Sequence, residues 1–216
     1  MADKSQASLL AYLPLASFIQ NVSSRSPAPG GGSVAALSGS LGASLGAMVC
    51  RLTIGKKKYK EVEDLMRNTE KLLLPLRDKL RDLIDDDTQA FDSVMEAFGL
   101  PDGTPEEKKI KDEQIMLASQ KAAMVPLHVM KKCLEAVELL KDVAHYGNVN
   151  SISDAGVANY CLKTGFEGAK LNVLINTKDM EDSQWKSEVM NEVKELSVVF
   201  EDAYNINDRF VLERLG

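Results

Sequence analysis

The strongest periodic signal lies between residues 60 and 98, where apolar positions recur every three or four residues through "LLLPLRDKLRDLIDDDTQAFDSV" (72–94). At about 100° per residue from Leu76, the positions Leu80, Leu83, Phe91, Val94 and Phe98 form one stripe within about 60°, as the core face of a helix does. Three aspartates interrupt this pattern. Asp85 falls at about 180°, toward solvent, and Asp86 at about −80°, on the flank. Asp87 falls at about 20°, inside the apolar stripe.

The rest of the chain also has the periodicity and punctuation of helices. Pro14 suits the start of a helix over 15–24, and "SPAPGGGS" (26–33) breaks the chain. Ser33 is an expected N-cap for a helix over 34–53, in which Gly39, Ala43 and Ala47, and Gly42 and Gly46, give small residues at four-residue spacing. Gly55 stops it, and the long helix over 60–98 is expected to bend at Pro75. Thr104, Pro105 and Glu107 supply a cap, a first-turn proline and a capping-box acid for a helix over 105–124, followed by another over 126–145. After the polar loop "GNVNSISD" (147–154), with Ser153 as cap, come helices over 154–164 and 166–176, and a last one over 182–214. Nothing alternates as a strand. The expectation is an all-α protein, a compact bundle of seven or eight helices in one domain spanning 1–216.

Composition narrows the function. The chain is 44% hydrophobic and 27% charged with a net charge of −6, ordinary for a globular protein and unfavourable for a nucleic-acid binder. The three cysteines lack metal-ligand or disulfide spacing and read as reduced cytosolic thiols; with two isolated histidines, no metal site is expected. Pro27 to Cys50 carries no charge and is long enough to cross a bilayer, but its Gly, Ser and Ala content favours a buried helix; no membrane association and a cytoplasmic location follow.

Five features can carry chemistry. Gly30, Gly31 and Gly32 precede a helix whose free N–H groups suit an anion or a polar ligand edge, although a structural turn accounts for much of the motif. Lys56, Lys57 and Lys58 are either a solvated run or a seat for an anionic tail. Asn148, Asn150, Ser151, Ser153 and Asp154 serve either turn and capping roles or recognition of a heterocycle. Asn172 and Asn176 share a face in an apolar helix, where a buried hydrogen-bonded pair is the default. Asp87, aimed at the core, must be paired, hydrogen-bonded or neutral, and desolvation would raise its pKa toward the range a general acid/base needs.

Six segments taken together are specific: "SPAPGGGSVAALSGSLGASLGAMVCRLTIGKKKY" (26–59), "DDDTQAF" (85–91), "LPDGTPEEK" (100–108), "AAMVPL" (122–127), "GNVNSISDAGVA" (147–158) and "LNVLIN" (171–176). In this order they resemble the formiminotransferase-cyclodeaminase C-terminal-like family, which includes free-standing methenyltetrahydrofolate cyclohydrolases. The resemblance implies an all-α homo-oligomer, a dimer or higher, acting on tetrahydrofolate derivatives with or without a polyglutamate tail, and no further cofactor. It implies that Asp87, in the D-x-x-A-F pattern, is the proton donor and acceptor. It also implies that Gly30, Gly31, Gly32, Ser33, Lys56, Lys57, Lys58, Asn148, Asn150, Ser151 and Asp154 belong to the folate site.

With no formiminotransferase segment in the 216 residues, the leading expectation is a cyclohydrolase converting 5,10-methenyltetrahydrofolate to 10-formyltetrahydrofolate. The alternatives are a formimidoyltetrahydrofolate cyclodeaminase releasing ammonia, and a folate-binding or assembly module without turnover.

Overall fold

Small side chains decide this architecture, because they let one helix, uncharged up to Arg51 in its last turn, be surrounded at close range. The computed structural model describes residues 9–180 and 183–216, and among these there is no strand. Six α-helices follow one another: α1 Leu15–Val22, α2 Gly31–Thr53, α3 Glu63–Phe98, α4 Pro105–Tyr146, α5 Ile152–Thr177 and α6 Gln184–Leu215. Short 3-10 turns lie at Leu10–Tyr12, Lys57–Val62 and Val149–Ser151. Helix α2 lies between α3 and α5; α4 packs behind all three, and α6 against α4 and α5.

Helices α2 and α3 run antiparallel in a seven-residue register. A Cβ on Gly46 would stand 3.1 Å from Leu73, one on Gly39 3.1 Å from Leu80, and one on Gly32 against Asp87. Leu73 and Leu80 are fully buried, each contributing roughly 1.5–3 kcal/mol. The small residues do not form one flat face as their spacing suggested. Gly42 meets Leu162 and the Ala158 carbonyl of α5, and Gly46 also meets Leu140 of α4. α2 is the one described helix long and apolar enough to cross a membrane, with a mean hydropathy of 1.5 over the qualifying window, yet 61% of that window is buried against its neighbours.

Among the described residues the helix count is six, below the seven or eight expected, because two pairs of expected helices are continuous. Pro126 has no N–H to bond the carbonyl of Ala122, one turn earlier. Asn176 of α5 supplies the missing donor: its Nδ2 bonds the Ala122 carbonyl at 2.9 Å. At Gly165, where two short helices were expected to meet, the glycine serves close packing. A Cβ there would stand 2.9 Å from the Ala35 carbonyl and the Gly39 nitrogen of α2. α3 likewise runs unbroken through Pro75.

The termini behave as their caps dictate. Thr104 and Glu107 form the expected capping box, with both reciprocal bonds present. Gly55 takes φ of +76°, a left-handed conformation that suits glycine, just past the end of α2. Ser33 is not the cap of α2, since the helix already starts at Gly31 with Gly30 as N-cap. Ser153 does not cap α5, which starts at Ile152. The last helix starts at Gln184, and position 182 of its expected range lies outside the described residues.

Asp85 corrects the helical wheel outright. Expected to face solvent, it is only 8% exposed and accepts the backbone N–H of Leu10 at 2.6 Å and of Ala11 at 3.1 Å. The wheel gives an angle, not what lies at that angle; here the N-terminal segment covers the outer face of α3.

Replacing Asn176 with Leu leaves the Ala122 carbonyl without its donor. The variant should lose about 1–3 kcal/mol of unfolding free energy, read as a lower urea midpoint with an unchanged slope. An unaltered midpoint would show that the bond contributes nothing.

Candidate active site

The seven-residue seam places a carboxylate where the two preceding steps place leucine. One step beyond Leu80, Asp87 meets the first turn of α2, where backbone N–H groups have no intrahelical partner. Ser33, fully buried at the third position of that turn, directs its hydroxyl across to α3 instead of capping its own helix. Its Oγ lies 2.9 Å from Asp87 Oδ2 and 3.0 Å from the Ile84 carbonyl. Burial raises the Asp87 pKa above the ordinary carboxylate value of 3.8, opposed by the hydrogen bond from the Ser33 hydroxyl and by the Ser33 N–H.

This hydroxyl can serve both protonation states. With Asp87 ionised, Ser33 donates to the carboxylate. With Asp87 protonated, the acid can donate to Ser33 Oγ, which then donates to the Ile84 carbonyl. One serine thus satisfies the acid before and after a proton transfer, without rearranging the backbone. Beside it, Thr88 Oγ1 is buried without a protein partner.

The three glycines have different constraints. A Cβ on Gly32 would overlap Asp87, 2.1 Å from Oδ1 and 2.6 Å from Cγ. Gly31 faces the other way, toward α5, where its Cβ would stand 3.4 Å from Asn172 Nδ2, an ordinary contact. Gly30, the N-cap, would meet the Pro27 carbonyl at 3.3 Å. Gly30, Gly31, Gly32, Ser33 and Asp87 therefore form one cluster, flanked by Asn172.

The remaining expected site residues lie at the other end of α2. Lys56, Lys57 and Lys58 are exposed on the turn after it, with Lys58 Nζ 5.5 Å from the Tyr59 ring centroid. Tyr59 joins this turn to the 147–154 loop by accepting the Val149 N–H at 3.0 Å. Asn148 is engaged inside the protein: its N–H bonds Thr53 Oγ1 at 2.8 Å, its Nδ2 bonds the Leu52 carbonyl at 3.1 Å, and its Oδ1 accepts the Asn150 N–H. Ser151 is buried, Asp154 is half-buried in the first turn of α5, and Asn150 is exposed. A helix of 23 residues spans about 35 Å. Within one copy, the acid end and the lysine end are that far apart.

Other chemistry is sparse. Among the described residues no group of His, Cys, Asp and Glu could hold a metal ion. Cys50, Cys133 and Cys161 are free, and burial pushes the Cys50 thiol up to about 12, leaving it unreactive. Two surface grooves lie away from the acid. One runs between α3 and α4, past Leu72, Leu76, Lys132 and Leu139, and another past Ala97, Leu100, Leu117 and Lys121.

A half-buried carboxyl with a raised pKa at the N-terminus of a glycine-rich central helix is an arrangement that can accept and return a proton. The chain belongs to the formiminotransferase-cyclodeaminase family, whose model matches residues 14–195. It is 43% identical over 192 residues to the methenyltetrahydrofolate cyclohydrolase of Methylorubrum extorquens, covering 89% of this chain and 91% of that protein. It is 39% identical over 183 residues to the formimidoyltransferase-cyclodeaminase of Gallus gallus, covering 85% of this chain and 34% of that longer protein. A solved structure of formiminotetrahydrofolate cyclodeaminase from Thermotoga maritima superposes with a TM-score of 0.85 at 30% identity, covering 95% of this chain and 98% of that one.

The glycine contacts separate packing from chemistry. Gly32→Ala should lower kcat at least 100-fold by displacing the Asp87 carboxyl, with helical circular dichroism retained, whereas Gly31→Ala, whose methyl stands clear of Asp87 beside Asn172, should act on KM and lower activity far less. Equal activities for the two variants would refute this assignment of the glycines.

Proposed function

We propose that this protein is a methenyltetrahydrofolate cyclohydrolase, with Asp87 as its general acid/base. The observation that carries the reading is the desolvated, Ser33-bonded carboxyl at the N-terminus of α2, in a chain 43% identical over nearly its whole length to an enzyme of that name. In 5,10-methenyltetrahydrofolate the bridging carbon is part of a cationic amidinium between N5 and N10. Water attacks that carbon while ionised Asp87 accepts its proton. Asp87 then returns that proton to N5 as the C–N5 bond breaks, and the adduct's hydroxyl proton leaves to solvent as the formyl C=O of 10-formyltetrahydrofolate forms. A carboxyl with a raised pKa suits both transfers, and its anion stabilises the substrate cation before attack.

The second reading is cyclodeamination, favoured by the TM-score of 0.85 to the Thermotoga maritima protein. There N10 closes onto the formimino carbon and the same acid protonates the departing ammonia. Purified protein tested on both folates discriminates them: loss of methenyl absorbance above the spontaneous rate supports hydrolysis, and ammonia release from 5-formiminotetrahydrofolate supports deamination. Turnover of neither would leave a folate-binding module.

Asp87→Asn should abolish turnover of the preferred folate while sparing binding. The raised pKa also fixes the pH signs. In wild type, kcat/KM should fall with decreasing pH through a limb set above the ordinary carboxylate range, as the base becomes protonated. A raised folded-state pKa contributes stability that is complete below the unfolded value and lost as pH rises through the folded value. Asp87→Asn should therefore be more thermostable than wild type at pH 8 and gain nothing at pH 3. Near-normal turnover by the variant would eliminate Asp87 as catalyst.

The folate site also needs its lysine end, about 35 Å from the acid within one copy. We infer a homodimer packed through the open face of α2 and the adjoining face of α5. From Pro27 to Cys50 there is no charge, Leu41 and Leu52 of α2 are 50% and 41% exposed, and Leu171 and Ile175 of α5 are 66% and 60% exposed. Two copies packed antiparallel along this face would set the acid end of one α2 beside the lysine end of the other, so that Lys56, Lys57 and Lys58 could meet the glutamate carboxylates of the folate tail. Leu41→Glu should convert a dimer into monomers in sedimentation and lower activity in parallel. A monomeric wild type, or a fully active monomeric variant, would exclude the shared site.

A further inference from the structure

The helix α2 N-terminus has a polar neighbour on each side, and only one of them is an acid. On the α3 side Asp87 faces Gly32; on the α5 side Asn172 faces Gly31. These glycines are consecutive, with Cα atoms about 3.8 Å apart, but at about 100° per residue they look in different directions. A molecule lying across the first turn of α2 thus touches the carboxyl at one edge and the amide at the other.

Asn172 is not committed to holding the fold together as its neighbours are. Asn176, one turn on, is engaged with the Ala122 carbonyl opposite Pro126. Asn207 of α6 bonds the Val137 carbonyl of α4 and Asn159 of α5. Asn172 makes only a local bond, from Nδ2 to the Gly168 carbonyl of its own helix at 2.9 Å. Because a carbonyl cannot donate, that bond identifies which end of the amide is nitrogen. It leaves the second amide hydrogen and Oδ1 open, on a half-buried side chain at the rim of the acidic cluster.

We propose that Asn172 is the residue that recognises the pteridine ring, pairing its amide with the ring's own amide edge, the N3–H and the C4 carbonyl. A primary amide offers one donor and one acceptor side by side, which is the complement of that edge. The C4 carbonyl is the ring substituent next to N5, and N5 carries the reacting carbon. An amide on the α5 side holding this edge therefore orients N5 and the bridging carbon toward Asp87 on the α3 side. Asn172 acts on the ring and Asp87 on the reacting carbon. The assignment rests on the folate reading above.

The test uses Asn172→Leu, which keeps volume and removes both polar groups, and Asn172→Ser, which is smaller and retains one hydroxyl. Two probes are titrated calorimetrically: 5-formyltetrahydrofolate, and p-aminobenzoylglutamate, which has the tail but no pteridine. Loss of two hydrogen bonds should raise the Kd for 5-formyltetrahydrofolate, and the KM for the turned-over folate, roughly 10- to 100-fold. The Kd for p-aminobenzoylglutamate should not move, and Asn172→Ser should fall between wild type and Asn172→Leu. An unchanged Kd for 5-formyltetrahydrofolate would overturn the assignment. So would equal losses for both probes, which would signify general damage to the site. Wild-type binding and turnover are measured first: their absence would remove the folate reading itself, whereas their presence with unaltered variants removes only the role of Asn172.

Discussion

The contact between Gly32 and Asp87 is the constraint on which the rest depends. Two long helices pack antiparallel with glycine facing a bulky residue at three successive seven-residue steps, and two of those steps bury leucine. The third carries an acid. A carboxyl is accommodated at that position because α2 begins there: the Ser33 hydroxyl bonds it, and the positive end of the helix dipole favours its charge. Moving the start of α2 by one turn toward the C-terminus would remove that compensation. Starting it one turn earlier would bury the acid in the middle of a helix interface.

Much of this was legible in the chain, and the exceptions have physical causes. Periodicity alone aimed Asp87 inward, because the apolar stripe of α3 continues on both sides of it. It failed for Asp85, whose burial depends on the residue-10 turn docking some seventy positions away. The same stripe continues past Asp87 through Phe91, Val94 and Phe98, yet Phe98 is 53% exposed, because α2 does not extend that far along the seam. The extra helix breaks arose from reading Pro126 and Gly165 locally. The proline is tolerated because Asn176 replaces its missing donor, and the glycine because α2 approaches closely there. No local rule registers a compensation supplied by another helix.

The candidate site divides along the same line. The glycine loop, Ser33 and Asp87 come together because they lie on two helices locked in register. The lysine triplet and the 147–154 loop also come together, through Tyr59, Thr53 and Asn148, but at the opposite end of α2. Resemblance to a family groups residues by shared use and is silent about distance. Asn172 was visible as one of two asparagines on a helical face, and the default of a paired structural role fitted its neighbour instead. Its distinguishing feature is an open amide beside a helix start, which only the fold reveals.

The length of α2 then becomes a functional quantity. Its 23 residues separate the acid from the lysines by about 35 Å, farther than a pteridine ring and one glutamate can bridge. A substrate touching both must follow the whole helix or meet the lysine end of another copy. The charge-free face of α2 is hard to explain in an isolated chain, since a solvated helix ordinarily carries charge on its outer side. If α2 of one copy lies antiparallel to α2 of the next, the face is covered and each acid gains a basic neighbour. The low polarity that makes this segment apolar enough to cross a membrane is then the property that would let two protomers meet along it. Glycine and alanine allow the close packing inside the bundle, and the absence of charge would allow a second copy the same approach from outside.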